Sequence, residues 1–186
     1  MRVTPTELDG VLVIEPKVFG DDRGFFLETY RRARYREAGI PYEFVQDNYS
    51  HSTKGVLRGL HYQEPKSQGK LVSVVHGAIF DVAVDIRRDS PTFGNWTGLE
   101  LTHDNHLNIW ISPGFAHGFL TLSDTADVTY KCTDYYAPEH EHCLLWNDPA
   151  VGIAWPKFDT PPRLSAKDAA GLRLADAKTL PIYVKK

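Results

Sequence analysis

The sequence predicts an all-β sandwich or barrel with a few short peripheral helices, on three observations. Short apolar or alternating stretches rich in Val, Ile, Phe, Tyr and Thr recur from Val11 to about Trp146, punctuated by Gly, Pro, Asn and Asp. One helix stands out, Arg31 to Ala38, and Gly39 and Pro41 stop it as a C-terminal glycine and a following proline do. After Pro149 the strand rhythm fades into Pro156, Pro161 and Pro162, so residues 149–186 are expected to wrap the barrel rather than form another layer.

With 186 residues the chain suits one domain, 1–186, with a core large enough to fold unaided. A formal net charge of -3 provides no basic field for nucleic acid or a membrane surface, and no run of about eighteen apolar residues appears. The opening Met1–Gly10 lacks the apolar stretch of a signal peptide, so a cytoplasmic protein with a small ligand is expected. Cys132 and Cys143 have no Cys-x-x-Cys spacing, which signals neither a disulfide framework nor a thiolate zinc site.

Side chains alternate along strands, so polar residues on an otherwise apolar face are the informative ones. Between Lys70–Val75 and Ala78–Ile86, His76-Gly77 has the length of a two-residue hairpin turn, which pairs Lys70 with Ala83. That register puts Lys70, Asp81 and Asp85 on one face as an ion cluster, either at a barrel mouth or in water. Phe80, Val82, Val84 and Ile86 form an apolar opposite face. Phe26 and Glu28 share one face of Phe25–Tyr30, and Gln46 and Asn48 share one face of Glu43–Asn48. A ring beside a carboxylate and two amides suits a nucleobase, although exposed edge strands also carry such residues.

Three segments go further: Arg58-Gly-Leu-His-Tyr-Gln63 with Gln68-Gly-Lys70, Pro113-Gly-Phe-Ala-His-Gly-Phe119, and Tyr130-Lys-Cys-Thr-Asp-Tyr-Tyr136. Together with Pro16–Phe26, Leu145–Pro149 and Ser165-Ala-Lys-Asp168, in this order and almost end to end, they resemble the dTDP-4-dehydrorhamnose 3,5-epimerase family. The resemblance implies a cupin-type jelly roll, a homodimer with residues 1–30 at its interface, and catalysis without metal or organic cofactor. Metal-binding cupins carry a His-x-His pair, whereas His61 is followed by Tyr62 and Gln63, so that ligand set is incomplete. His103, His106, His140 and His142 fall in polar, loop-like stretches.

The implied substrate is dTDP-4-dehydro-6-deoxy-D-glucose, whose C3 and C5 protons both flank the C4 ketone. Its epimerisation needs a base, a group that stabilises the enolate oxygen, and an acid on the opposite face. By resemblance these are His61, Lys70 and Tyr130, with Asp168 behind His61 and Asp81 or Asp85 keeping Lys70 charged. On spacing alone, Asp168 would cap a helical turn opened by Ser165, and Tyr130 would be packed beside Val128 and Cys132. Arg58, His117, Glu141 and Lys167 match positions around the nucleotide or its sugar. Phe19, Arg23, Phe26, Glu28, Gln46, Asp47 and Asn48 match nucleotide-binding segments, several reaching across the dimer. In a regular strand Arg58 and His61 point to opposite faces, so serving one pocket requires a bulge at Gly59. Asn108-Ile109-Trp110 and Pro156-Lys-Phe-Asp159 carry no chemistry in this reading. A one-position epimerase, a keto-isomerase and a non-catalytic sugar-nucleotide-binding cupin are the competing readings.

Overall fold

The computed structural model describes residues 1–157 and 160–185; Phe158 and Asp159 of the Pro156–Asp159 segment lie outside it. In chain order the first strands are β1 (Arg2–Pro5), β2 (Val11–Glu15), β3 (Val18–Asp21) and β4 (Gly24–Leu27), followed by helix α1 (Arg32–Glu37). Next come β5 (Gln46–Thr53), β6 (Leu57–Gln63), β7 (Lys70–His76), β8 (Ala78–Asp85) and β9 (Trp96–Thr102). The remainder are β10 (Asn108–Ile111), β11 (Phe115–Thr121), β12 (Thr125–Cys132), β13 (Glu141–Cys143) and helix α2 (Ala166–Ala169).

Two antiparallel sheets face each other, one of six strands ordered β1-β2-β10-β7-β12-β5 and one of five ordered β13-β6-β11-β8-β9. Between them Val72, Val74 and Val128 meet Ile79, Ala83, Leu101 and Phe119 in the main core. The outer face of the five-stranded sheet presents Leu60, Val82, Val84, Ile86 and Ala116, which pack against Val151, Leu174 and Leu180 from the C-terminal region. The uniformly apolar face read from the sequence is therefore a packing face.

β3 and β4 form a separate two-stranded hairpin with Phe19, Phe25 and Phe26 exposed. Helix α1 ends where Gly39 takes a positive φ of 88°, and it buries Tyr35 beside Ile14, Ile40, Leu71 and Trp110. Asn108-Ile109-Trp110 opens β10 at the centre of the larger sheet, and burial on both faces explains its mostly apolar character.

The expected hairpin is corrected. β7 pairs with β10 and β12, and β8 pairs with β9 and β11, so the chain passes at Gly77 from one sheet to the other. Lys70 lies opposite Ile111 and Cys132, not Ala83. The face assignments survive because both strands turn the same alternate residues inward, now across the sandwich instead of along one sheet.

Candidate active site

A cavity of about 330 Å³ opens between the sheets. β6 and β11 build one wall, with His117 opposite His61 and Phe119 opposite Arg58. The register therefore shifts, so that the step from Arg58 to His61 on β6 matches a shorter step on β11. This irregularity removes the parity conflict, and Arg58 and His61 both line the cavity. Gly59 makes it possible: its φ is +113°, and a Cβ there would lie 2.6 Å from Gly118 Cα and 2.7 Å from the His117 carbonyl oxygen. Gly59→Ala is expected to cost about 3 kcal/mol or more, because overpacking and backbone strain each contribute about 1–3 kcal/mol. Urea unfolding with an unchanged midpoint would contradict this.

Asp168 reaches His61 from 107 residues away, its Oδ1 lying 2.5 Å from Nε2. Asp168 thus sits both behind the imidazole and in the first turn of α2. Ser165 caps α2 by accepting from the Asp168 backbone N–H at 3.1 Å and donates its hydroxyl to Oδ2 at 2.7 Å, which leaves Oδ1 for the imidazole. Burial opposes the ionised carboxylate, yet the hydrogen bonds from His61 and Ser165 hold its pKa at about 2. Burial also pushes the His61 pKa below its ordinary 6.5, and Lys167 and Lys70 add to that against the pull of Asp168. With its pKa below 6.5, His61 is a neutral imidazole at neutral pH; Asp168 holds Nε2, and among the described residues Nδ1 has no hydrogen-bond partner.

The facing wall comes from β5, β7 and β12. β5 turns Gln46, Asn48, Ser50 and Ser52 inward and Asp47, Tyr49 and His51 outward. Lys70 and Tyr130 also line the cavity. Tyr130 packs against the main core as well, so its packed and site-lining readings coexist. Burial lowers the Lys70 pKa and raises that of Tyr130.

Of the two charge partners expected for Lys70, Asp85 is corrected. Asp85 is bound by Arg87 at 2.8 Å, Ser90 at 2.6 Å and Thr92 at 2.7 Å. These partners lie close in sequence on the turn that follows β8, and they claim the carboxylate. Arg87 is itself stacked between Phe115 and Tyr183. Asp81 binds His117 Nε2 at 2.8 Å, forming a second buried carboxylate–imidazole pair, and reaches Lys70 only through its field.

At the mouth, Lys167 donates to Glu141 at 2.8 Å and the Tyr136 hydroxyl donates to the same carboxylate at 2.9 Å. Of the sequence-predicted residues, His61, Lys70, Tyr130, Gln46, Asn48, Arg58, His117, Glu141 and Lys167 line this cavity. Phe19, Arg23, Phe26, Glu28 and Asp47 do not. Arg23 pairs with Asp21, Glu28 with Arg31 and Arg34, and Asp47 with Lys131. Phe26 and Asp47 instead border a second groove, between the β3–β4 hairpin and the outer face of the six-stranded sheet.

The family model for dTDP-4-dehydrorhamnose 3,5-epimerase matches residues 5–176. The chain belongs to this family. A dTDP-4-dehydrorhamnose 3,5-epimerase of Pseudomonas aeruginosa is 54% identical over 97% of this chain and 100% of its own length. A Legionella pneumophila epimerase of the family, solved in complex with dTDP-4-keto-L-rhamnose, is 53% identical with a TM-score of 0.96, covering 99% of both chains. The 3'-monoepimerase ChmJ of Streptomyces bikiniensis, in complex with dTDP-quinovose, is 37% identical with a TM-score of 0.90, covering 96% of this chain and 92% of its own. The epimerase-family motifs also contain cavity residues that sequence reasoning passed over. Gln63 ends the first segment of the first motif pair and Gln68 opens its second, Tyr136 ends the third motif, and outside the motifs Ser50 continues the inward stripe of β5.

Proposed function

We propose that this chain catalyses the 3,5-epimerisation of dTDP-4-dehydro-6-deoxy-D-glucose to dTDP-4-dehydro-L-rhamnose, in dTDP-L-rhamnose biosynthesis. The supporting observation is one cavity lined by His61, with Asp168 behind its ring, together with Lys70 and Tyr130 from the facing sheet. His61 takes the proton from the carbon next to the C4 ketone, and Asp168 stabilises the imidazolium that forms. The Lys70 ammonium meets the developing enolate oxygen. Tyr130 returns a proton on the opposite face, where a strongly basic enolate carbon accepts it even from a phenol. Arg58, His117 and Lys167 suit the diphosphate and sugar, with Glu141 holding Lys167. No cofactor enters this reading, because the ketone already acidifies both protons.

Incubating that substrate in D₂O and following deuterium by NMR tests the reading. Incorporation at C3 and C5 is expected. Incorporation at one carbon would assign a monoepimerase, the second reading favoured by the likeness to ChmJ, and none would leave a binding protein.

The pH profile is a separate expectation. Activity needs His61 deprotonated and Lys70 protonated, so the rate should fall as pH drops through a value below 6.5 and again as it rises through a value below 10.5. An acidic limb above pH 6.5 would contradict a buried neutral base.

We further infer a single domain, 1–186, that works as a homodimer in the cytoplasm. The β3–β4 hairpin exposes Phe19, Phe25 and Phe26, and the sheet beside it exposes Tyr49 and Val75, an apolar area suited to a second copy. Arg23, Phe19, Phe26 and Glu28 would then serve the partner's nucleotide site. Sedimentation at the mass of one chain would remove this assembly. Two free thiols suit a reducing compartment.

A further inference from the structure

The fold brings together three donors that no sequence spacing connects. The ligand atoms of His61, Cys143 and Asp168 all lie within 4.8 Å of one another. Cys143 lies opposite His61 across the β13–β6 pair, and its sulfur is 4.0 Å from the Asp168 oxygen that binds the imidazole. Ser165 holds the other carboxylate oxygen and fixes its direction, as outer-shell partners of metal ligands do.

We propose that these three residues form an inhibitory site for a thiophilic divalent cation of the zinc type. Imidazole, thiolate and carboxylate make a mixed set that tetrahedral zinc accepts, leaving a fourth position for water. Ordinary zinc–ligand bonds of about 2.0–2.3 Å put neighbouring ligand atoms roughly 3.3–3.6 Å apart. The nitrogen–oxygen contact of 2.5 Å must therefore open and the sulfur–oxygen contact of 4.0 Å must close, each by less than the length of a bond. This rearrangement lies within the reach of side chains.

The consequence for the reaction follows from proton balance, and it rests on the functional reading above. A cysteine binds such a cation as the thiolate. Metal binding therefore replaces the thiol proton, so one is released per ion. The neutral ring carries one proton, on the nitrogen held by Asp168; when the metal takes that nitrogen, the proton moves to the other one. The lone pair that would accept the substrate proton is then gone. The site is inhibitory rather than catalytic, in keeping with the metal-free reaction that the family resemblance implies.

Two measurements on the full chain separate the site from its effect. Cadmium titrated into the wild-type protein is expected to produce a thiolate-to-metal charge-transfer band at one equivalent, and Cys143→Ser to lack it. This readout stands whatever reaction the chain performs. Zinc is expected to suppress deuterium exchange reversibly, with activity restored by EDTA. Cys143→Ser should retain turnover while needing at least about 10- to 100-fold more zinc for the same inhibition, because a direct ligand contributes no less than an outer-shell partner. Cys143→Ala provides the same comparison if the serine variant folds poorly. Absence of the band in the wild-type protein, or equal zinc sensitivity in both variants and the wild type, would overturn the proposal.

Discussion

His61→Asn is expected to slow exchange at both carbons by about 10²- to 10⁴-fold while a thymidine diphosphate ligand still binds. That range corresponds to about 2.7–5.5 kcal/mol of lost transition-state stabilisation. The separation of rate from binding follows from position. His61 faces the cavity on β6, whereas the groups suited to the nucleotide and diphosphate are other side chains: Arg58 three residues before it, β5, β11 and the mouth around Glu141 and Lys167. Asparagine keeps a polar side chain near Asp168, whose other oxygen remains bound to Ser165, so the fold should persist. Full exchange in this variant would remove His61 as the base. Asp168→Ala adds a control on the same pair, because a wild-type rate there would reduce Asp168 to the helix-terminus role alone.

Lys70→Met should cost about 10²- to 10³-fold in kcat, in the range lost when a single oxyanion-stabilising donor is removed. Its KM should change little, since the enolate charge exists only beyond the ground state. The stability effect has the opposite sign. No carboxylate among the described residues lies within salt-bridge distance of Lys70, and burial already lowers its pKa, so the folded protein holds this ammonium at a cost. Methionine has similar reach and no charge, so thermal unfolding should occur at the same or a higher temperature. A variant both slower and clearly less stable would mean that Lys70 supports the fold instead of the reaction. The alkaline limb of the pH profile should disappear with the lysine.

Much of the site was legible where chemistry follows local alternation. Gln46 and Asn48 share a face because strands alternate, and the stripe they begin runs on through Ser50 and Ser52. Arg58 and His61 posed a parity conflict that pointed directly at Gly59, and the register shift lies there. Sheet membership was not legible. His76-Gly77 has the length of a hairpin turn, but length does not say whether the next strand returns beside the last or crosses to the opposing sheet. Asp85 was misassigned for a related reason: Arg87, Ser90 and Thr92 claim it through a turn whose shape sequence spacing leaves open. The group of His61, Cys143 and Asp168 was beyond sequence spacing altogether, since its members meet only when β6, β13 and α2 converge.

The distance along the chain between His61 and Asp168 also sets when competence arises. A nascent chain is made from its N-terminus, and the base strand emerges long before the residue that orients it. Both sheets are complete in sequence by Cys143, yet α2 begins only at Ala166. A chain halted between these points would own every strand of the sandwich and still hold its imidazole undirected. Turnover in a translation-arrest or truncation series therefore marks the docking of α2 rather than the closing of the β-structure.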